Sequence, residues 1–236
     1  RGFGGPQGMI VIETILEHIG HHLGKSLDDI RKVNYYGTKD RNVTPYGQTV
    51  TDNIIEELAD RLMSEIDYEG RKQAIEKFNL ENQTLKKGIA AMPIKFGISF
   101  NMPALNQAGA LVHVYTDGSV HLNHGGTEMG QGLFTKVAQV VATVFQIDID
   151  NIKISSTRTD KVPNTSATAA SAGSDLNGMA AYDAADRIKA RMTGVAARHF
   201  DVAEDEIEFR LNCVYAGNES LSFAELAQMT WEARES

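Results

Sequence analysis

The sequence has very few residues of several kinds that would define a function. It contains one cysteine, Cys213, among 236 residues. A single thiol excludes a disulfide framework and any cysteine-based zinc or iron–sulfur site within this chain. We expect Cys213 to lie in a buried strand of a cytoplasmic protein, since free thiols persist in reducing compartments.

Long apolar runs and clusters of basic residues are also missing. No stretch reaches the roughly 18 apolar residues that a membrane-spanning helix requires, and no signal-peptide pattern opens the chain. The formal net charge is −8, whereas phosphate-backbone binding needs clustered lysine and arginine. We therefore expect neither a membrane nor a nucleic acid as a partner.

What the chain does contain is typical of a globular protein with a sizeable core. Apolar residues make up 42% and charged residues 23% of the sequence, which are ordinary fractions. The chain begins at Arg1, inside the motif-like run Arg-Gly-Phe-Gly-Gly-Pro-Gln-Gly. We interpret it as a fragment of a longer polypeptide.

The most informative feature is a glycine-rich run, Gly125–Gly132, with the sequence GGTEMGQG. It stands between a strand-like alternation and a helix-like stretch. Glycines uncover backbone N–H groups, and a helix that begins after them adds unpaired donors and the positive end of its dipole. Neither the P-loop spacing nor the dinucleotide-binding spacing is present. The run predicts a site for a phosphate-bearing cofactor, and a glycine-rich turn without a ligand is the alternative.

A second run of small and hydroxyl-bearing residues covers 164–174 and also precedes a predicted helix. Its alternative interpretation is a flexible loop with an N-cap. Phe3 and Phe100 each have small or polar neighbours, so their rings could either be buried or stack on a flat aromatic substrate.

The histidines are weaker evidence for a functional site. His18 and His22 have the i,i+4 spacing of two zinc ligands, but the glutamate of the metalloprotease pattern is absent, which leaves a metal-dependent hydrolase as a distant alternative. His113, His121 and His124 alternate with apolar residues on a predicted hairpin, where we expect them on the strand surface.

The order of predicted elements favours an α+β fold, because helices and antiparallel hairpins are mixed rather than strictly alternating. We expect a helical part over residues 1–86, with a helix break at Gly70, and an α+β part over residues 87–236. Strands are predicted at 89–100, 110–122 with a turn at Asp117-Gly118, 152–156 and 207–215. Helices are predicted at 133–146 and 176–200, and a capping-box helix begins at Ser222.

Five separated motifs in this order resemble the molybdenum-cofactor-binding region of the xanthine dehydrogenase/aldehyde oxidase family. The resemblance runs from Arg1 to about residue 191 and weakens over the last 45 or so residues. The motifs are RGFGGPQ at 1–7, KFGISF at 95–100, LNQAGAL at 105–111, GGTEMGQG at 125–132 and TAAS at 168–171.

The resemblance implies a role for particular residues. Those expected to contact the molybdopterin cofactor are Arg1 through its main chain, Met129, Gly130, Gln131, Ala170, Ser171 and Gly173. Phe3 and Phe100 resemble two rings that sandwich a planar purine, and Asn101 stands where animal purine-oxidising relatives carry threonine. No metal ligand is expected in this chain.

The resemblance also implies what the intact protein does and what this chain lacks. A purine-oxidising parent would convert hypoxanthine to xanthine and then urate, with water as the oxygen source, and would carry 2Fe-2S, FAD and NAD sites on other domains or subunits of a homo- or hetero-oligomer. The family's catalytic glutamate belongs to a Gly-Glu-Pro-Pro motif, which this sequence does not contain. We therefore assign no catalytic residue here and expect no turnover by the chain alone. An aldehyde oxidase and a non-catalytic cofactor-binding module are the alternatives.

Overall fold

The structure is a computed structural model that describes residues 4–161 and 165–235. Two of the predicted site residues, Arg1 and Phe3, lie outside the described residues. The chain divides into two compact units, Arg1–Gly97 and Ile98–Ser236. The predicted domain boundary between residues 86 and 87 stays a prediction.

The first unit is helical. It contains α1 (Gly5–Leu23), α2 (Leu27–Val33), α3 (Ile55–Glu65) and α4 (Tyr68–Glu81). Gly24 ends α1 in the left-handed conformation with φ 64°, and the Ser26 hydroxyl caps α2 by accepting the Asp29 N–H at 3.1 Å.

The predicted helix break at Gly70 is wrong, because Gly70 lies inside α4. The break is at Asp67, which adopts φ 49° between α3 and α4, a conformation that aspartate tolerates better than most residues. A Cβ on Gly70 would lie 2.8 Å from the carboxyl carbon of Asp67. Gly70 therefore makes room for the side chain at the break.

One buried cation joins α2 to α1 and to the segment that follows α4. Arg31 on α2 donates to the Glu13 carboxylate on α1 at 2.6 Å and to Asp28 at 3.1 Å. It also donates to the Ala91 carbonyl at 2.9 Å. Burial alone would lower the pKa of Arg31, but the hydrogen bond and charge of Glu13 outweigh that effect and raise it.

The strand predicted over residues 89–100 is not formed. This segment is extended in part, yet among the described residues it pairs with no strand. A strand requires a hydrogen-bonded partner, and the alternation of the sequence does not supply one.

The second unit contains two three-stranded sheets. The first is formed by β1 (Ala110–Val114), β2 (Val120–His124) and β3 (Ile152–Ile154), with β1 antiparallel and β3 parallel to the central β2. The second is an antiparallel meander of β4 (Ile207–Arg210), β5 (Cys213–Ala216) and β6 (Glu219–Ser222). The predicted hairpin turn at Asp117-Gly118 is confirmed.

The single strand predicted over residues 207–215 is wrong, since the chain reverses between β4 and β5. Leu211 and Asn212 form that turn with φ 51° and 62°. The left-handed region is uncommon for leucine, so the sequence carried a weak turn signal. The Asn212 side chain stabilises the turn by accepting the Asp148 N–H at 2.7 Å.

Three helices cover these sheets: α5 (Leu133–Phe145), α6 (Gly173–Phe200) and α7 (Phe223–Glu232). The capping box of α7 is formed as predicted, with the Ser222 hydroxyl accepting the Glu225 N–H. Val137, Val141 and Phe145 of α5 are buried in one core that also includes Ala181 and Ala185 of α6. The α+β fold class is confirmed.

Short 3₁₀ helices connect several of these elements, at Pro103–Leu105, Ile149–Asn151 and Glu204–Glu206. No helix within the described ranges is both long enough and apolar enough to cross a bilayer.

Candidate cofactor site

Three of the predicted site segments meet in the second unit, held together by hydrogen bonds that backbone N–H groups donate. The small-residue loop, defined here as residues 165–173, lies between the other two. The Ser99 N–H donates to the Ala170 carbonyl at 2.8 Å, which joins this loop to the segment carrying Phe100. The Thr127 N–H donates to the Thr168 hydroxyl at 2.8 Å, which joins it to the glycine-rich run.

The glycine-rich run is organised by the carboxylate of Glu128. Its Oε1 accepts the N–H groups of Gly130 at 2.7 Å and Gly132 at 3.1 Å, and its Oε2 accepts the N–H of Phe134 at 3.0 Å. The bond from Phe134 is the main reason that the pKa of Glu128 is lowered. The expectation that the N-terminus of α5 offers free donors to a phosphate is therefore wrong, because the chain's own carboxylate occupies it.

The side chain of Gln131 stabilises the same run through two further hydrogen bonds. Its Nε2 donates to the Thr127 carbonyl at 2.8 Å, and its Oε1 accepts the N–H of Met129. Met129 has 67% of its surface exposed, and Gly130 has φ 95° with open space around it. The run thus exposes Met129 and the backbone of Gly130, while the side chains of Glu128 and Gln131 fix its conformation.

The first two glycines of the run are required by close packing. A Cβ on Gly125 would overlap the side chain of Thr165 in the small-residue loop. A Cβ on Gly126 would lie 2.6 Å from Leu133 Cδ2 and 2.8 Å from Asn177 Nδ2. Both loops and the first turn of α6 therefore approach each other at the Gly125–Gly126 step.

The small-residue loop ends in an unusual backbone conformation. Ala170 and Ser171 have φ 54° and 57° in succession, which is rare for residues other than glycine. The next residue, Ala172, is the N-cap of α6 and makes no side-chain cap hydrogen bond. A helix beginning at Gly173 without a capping side chain presents N–H donors and a positive dipole end to an anion. The N-cap residue of α6 thus supplies no side-chain acceptor, whereas the Glu128 carboxylate occupies N–H groups at the start of α5.

Phe100 is held by its main chain. The Asn106 side chain accepts the Phe100 N–H at 2.9 Å and donates to the Phe100 carbonyl at 2.7 Å. Ser99 has φ 75°, so the chain turns sharply just before the ring. Phe100 is half-buried and Asn101 is exposed.

His124 is a residue that the sequence interpretation placed wrongly. It is 2% exposed rather than on the strand surface. Its Nδ1 accepts the Gly126 N–H at 3.1 Å, and its ring stands edge-on to Phe134. Alternation along a strand predicts one solvated face, but helix α5 and the two loops cover this end of β2.

The structure also shows where His18, His22 and Cys213 lie. His18 and His22 lie on α1 as exposed side chains, and no group of three or more potential metal ligands is present within residues 4–161 and 165–235. Cys213 lies in β5 as predicted but is only partly buried.

A molybdopterin cofactor-binding domain model matches residues 61–236. The chain belongs to this family. It is 50% identical over 202 residues to the xanthine dehydrogenase of Dictyostelium discoideum, which covers 86% of this chain and 15% of that protein. It is also 48% identical over 192 residues to the xanthine dehydrogenase/oxidase of Gallus gallus, covering 81% of this chain and 14% of the relative. The chain thus spans about one seventh of these relatives, and the predicted resemblance is confirmed.

Solved structures show the same fold at lower identity. The quinoline 2-oxidoreductase of Pseudomonas putida 86 superposes with a TM-score of 0.76 at 20% identity, over 99% of this chain and 30% of that one. A Cu,Mo-CO dehydrogenase superposes with a TM-score of 0.67 at 24% identity, over 92% of this chain and 29% of that one. At these identities the likeness shows the fold alone.

Proposed function

We propose that this chain is the central part of the molybdopterin-binding region of a xanthine dehydrogenase that oxidises hypoxanthine to xanthine and xanthine to urate. The observation that carries the proposal is the 50% identity to a xanthine dehydrogenase over 202 residues. Those residues include the two loops that meet at the candidate site. Participation in purine catabolism and a cytoplasmic location belong to the same proposal.

The residues present fit the cofactor. Met129, Gly130 and Gln131 form one wall, where a Gly130 backbone free of side chains lets a polar ring system approach closely. Ala170, Ser171 and Gly173 form the other, with small side chains and the uncapped start of α6 as a place for a phosphate. Arg1, whose main chain is expected to contact the cofactor from the family resemblance, lies outside the described residues.

The purine would bind beside this cofactor, against the ring of Phe100. Phe3, the second ring implied by the family resemblance, lies outside the described residues. Asn106 fixes the backbone of Phe100 by two hydrogen bonds, so its ring is positioned before substrate arrives. Asn101 follows directly and is exposed, and its amide offers both a donor and an acceptor to a purine edge.

When bound, the molybdenum cofactor supplies hydroxylation of an electron-poor carbon with water as the oxygen source and accepts two electrons. This chain contributes position: the two loops hold the cofactor, and Phe100 and Asn101 orient the purine. The proton-transferring glutamate of the family's Gly-Glu-Pro-Pro motif is absent from this sequence. We therefore expect no turnover by the chain alone.

Electrons would leave through 2Fe-2S and FAD sites on other domains or subunits of the intact protein, with NAD as the acceptor. That protein would be a homo- or hetero-oligomer. The cofactor region described here has no cluster of metal-binding side chains among residues 4–161 and 165–235 that could hold iron itself.

Phe100→Ala in the intact protein tests the substrate assignment. Loss of one stacked ring removes about 0.5–1.5 kcal/mol of aromatic contact, so KM for xanthine should rise about two- to tenfold while molybdenum content stays at the wild-type level. Tyr182→Ala, an exposed aromatic on α6, is the control and should leave KM unchanged.

Three results would overturn the proposal. Equal KM values for wild type and Phe100→Ala would remove Phe100 from the substrate site. A strong preference of the wild-type protein for aldehydes over purines would instead assign an aldehyde oxidase. Absence of any turnover by a molybdenum-loaded intact protein would favour a non-catalytic cofactor-binding module.

A further inference from the structure

His124 is the only histidine within the described residues that is both buried and bonded to the glycine-rich run. It is the last residue of β2, opposite Ala110 of β1, and its ring centroid lies 5.1 Å from that of Phe134 at 90°. Its Nδ1 accepts the Gly126 N–H at 3.1 Å. Its Nε2 is buried without a hydrogen-bond partner among the described residues.

These contacts determine the protonation of the ring. A neutral imidazole has one N–H and one lone pair, and Nδ1 must carry the lone pair to accept from Gly126. The hydrogen therefore sits on Nε2. Uptake of a second proton would occur at Nδ1 and would set two N–H groups against each other.

We propose that His124 is a positioning residue for the glycine-rich run: its neutral ring holds the Gly126 N–H, and a second proton releases the run. The link from the run to a cofactor rests on the proposed function, whereas the link from His124 to the run does not.

Gly126 is the point at which the run can be held or released. Its carbonyl accepts the Thr157 hydroxyl at 2.7 Å, so His124 and Thr157 hold the two polar groups of one residue. Inward movement is blocked by Leu133 and Asn177, which leave no space even for a Cβ. If the bond to His124 is lost, the bond from Thr157 is the remaining side-chain hydrogen bond to Gly126 among the described residues.

No neighbouring charge favours the protonated ring. Burial lowers the pKa of His124, and no charged side chain contributes to the shift. The facing groups are the apolar Ala110 on β1 and the Phe134 ring on α5. On the run, the nearest titratable group is Glu128, whose carboxylate is bonded to N–H groups there and at the start of α5. On β2 itself, His121 is bonded to the Ser155 hydroxyl.

The hold of His124 on the run should weaken in acid. Because the folded-state pKa is lowered, the stabilisation is fully present above the ordinary histidine pKa of about 6.5 and is lost as pH falls through the lowered value. Below about pH 6.5 the protection of the run against amide exchange should fall by up to about tenfold per pH unit.

Hydrogen exchange of the intact protein, followed by mass spectrometry over peptides covering residues 124–132, tests this. Rates are corrected for the intrinsic effect of pH, and both cofactor-free and cofactor-loaded forms are measured. His124→Asn places an amide oxygen near the position of Nδ1 and does not titrate, so its protection should not change with pH. His124→Leu should lose about two- to tenfold of protection at neutral pH, as expected for one hydrogen bond. His113→Asn, at an exposed position of β1, should behave like wild type.

The outcomes separate the two proposals. Parallel loss of protection in acid for wild type and His124→Asn would overturn the role of His124, as would wild-type protection in His124→Leu. If His124→Leu fails to fold, the comparison with His124→Asn still decides. Failure of the cofactor to raise protection of the run at neutral pH would count against the proposed function and leave the role of His124 standing.

Discussion

Gly126→Ala is the substitution that tests the close packing beneath the candidate site. The added Cβ would lie 2.6 Å from Leu133 Cδ2 and 2.8 Å from Asn177 Nδ2, well inside contact distance. Leu133 is 1% and Asn177 is 3% exposed, so neither side chain can move into solvent. Either these two buried side chains must change their rotamers, or the backbone of the run, α5 or α6 must shift.

The expected loss of stability follows from overpacking of the buried interior. Forcing one methyl group into a close-packed interior destabilises a protein by about 1–3 kcal/mol. For a chain of this size, each kcal/mol lowers Tm by about 2–4 °C, so Tm should fall by about 2–12 °C. The cofactor content of the intact protein should fall with it, because the displaced loops form the proposed site.

Gly178→Ala is the matched control. Gly178 is also buried and lies in α6, but its added Cβ would meet only Val140 Cγ2 at 3.6 Å, an ordinary contact. Replacing a helical glycine by alanine stabilises by about 0.5–1 kcal/mol. Differential scanning calorimetry of the two variants should therefore show shifts of opposite sign. An unchanged or raised Tm for Gly126→Ala would refute the packing argument.

Three further substitutions test other parts of the account. Glu128→Gln removes the charge that holds the run. Because the pKa of Glu128 is lowered, the stabilisation that its carboxylate provides is present above the ordinary glutamate pKa and is lost in acid. The variant should therefore have a lower Tm than wild type at neutral pH and a Tm that changes less between neutral pH and about pH 3. A wild-type profile would contradict this. Arg31→Met leaves Glu13 without its cation and Asp28 with Lys72 as its remaining cation, and should lower the free energy of unfolding by about 3 kcal/mol in urea titrations; a loss below about 1 kcal/mol would show an exposed, weak ion pair. Asn106→Ala removes both bonds to the Phe100 backbone and should cost about 1–3 kcal/mol and raise KM for xanthine, whereas an unchanged KM would show that Phe100 does not need this support.

Much of the fold could be predicted from local signals in the sequence. The stop at Gly24, the caps at Ser26 and Ser222 and the turn at Asp117-Gly118 each depend on a few adjacent residues, and each is present. Elements that depend on distant partners were predicted less well. The alternation over residues 89–100 resembles a strand, but no partner strand is present among the described residues.

The candidate site also has parts that could be predicted from the sequence and parts that could not. The two loops could be found from composition and motif resemblance, because glycine and small residues mark close approach. The internal use of Glu128 could not, since only the folded run brings its carboxylate to the N–H groups of Gly132 and Phe134. The burial of His124 depends on α5 and on loops distant in sequence, so strand alternation alone placed it in solvent.

The most direct test of the central claim is an experimental structure of the intact protein with its molybdenum cofactor bound. We expect cofactor atoms within hydrogen-bonding distance of the run at Met129–Gln131 and of the loop at Ala170–Gly173, with the cofactor's phosphate near the start of α6. A cofactor bound elsewhere, with both loops facing protein or solvent, would contradict it.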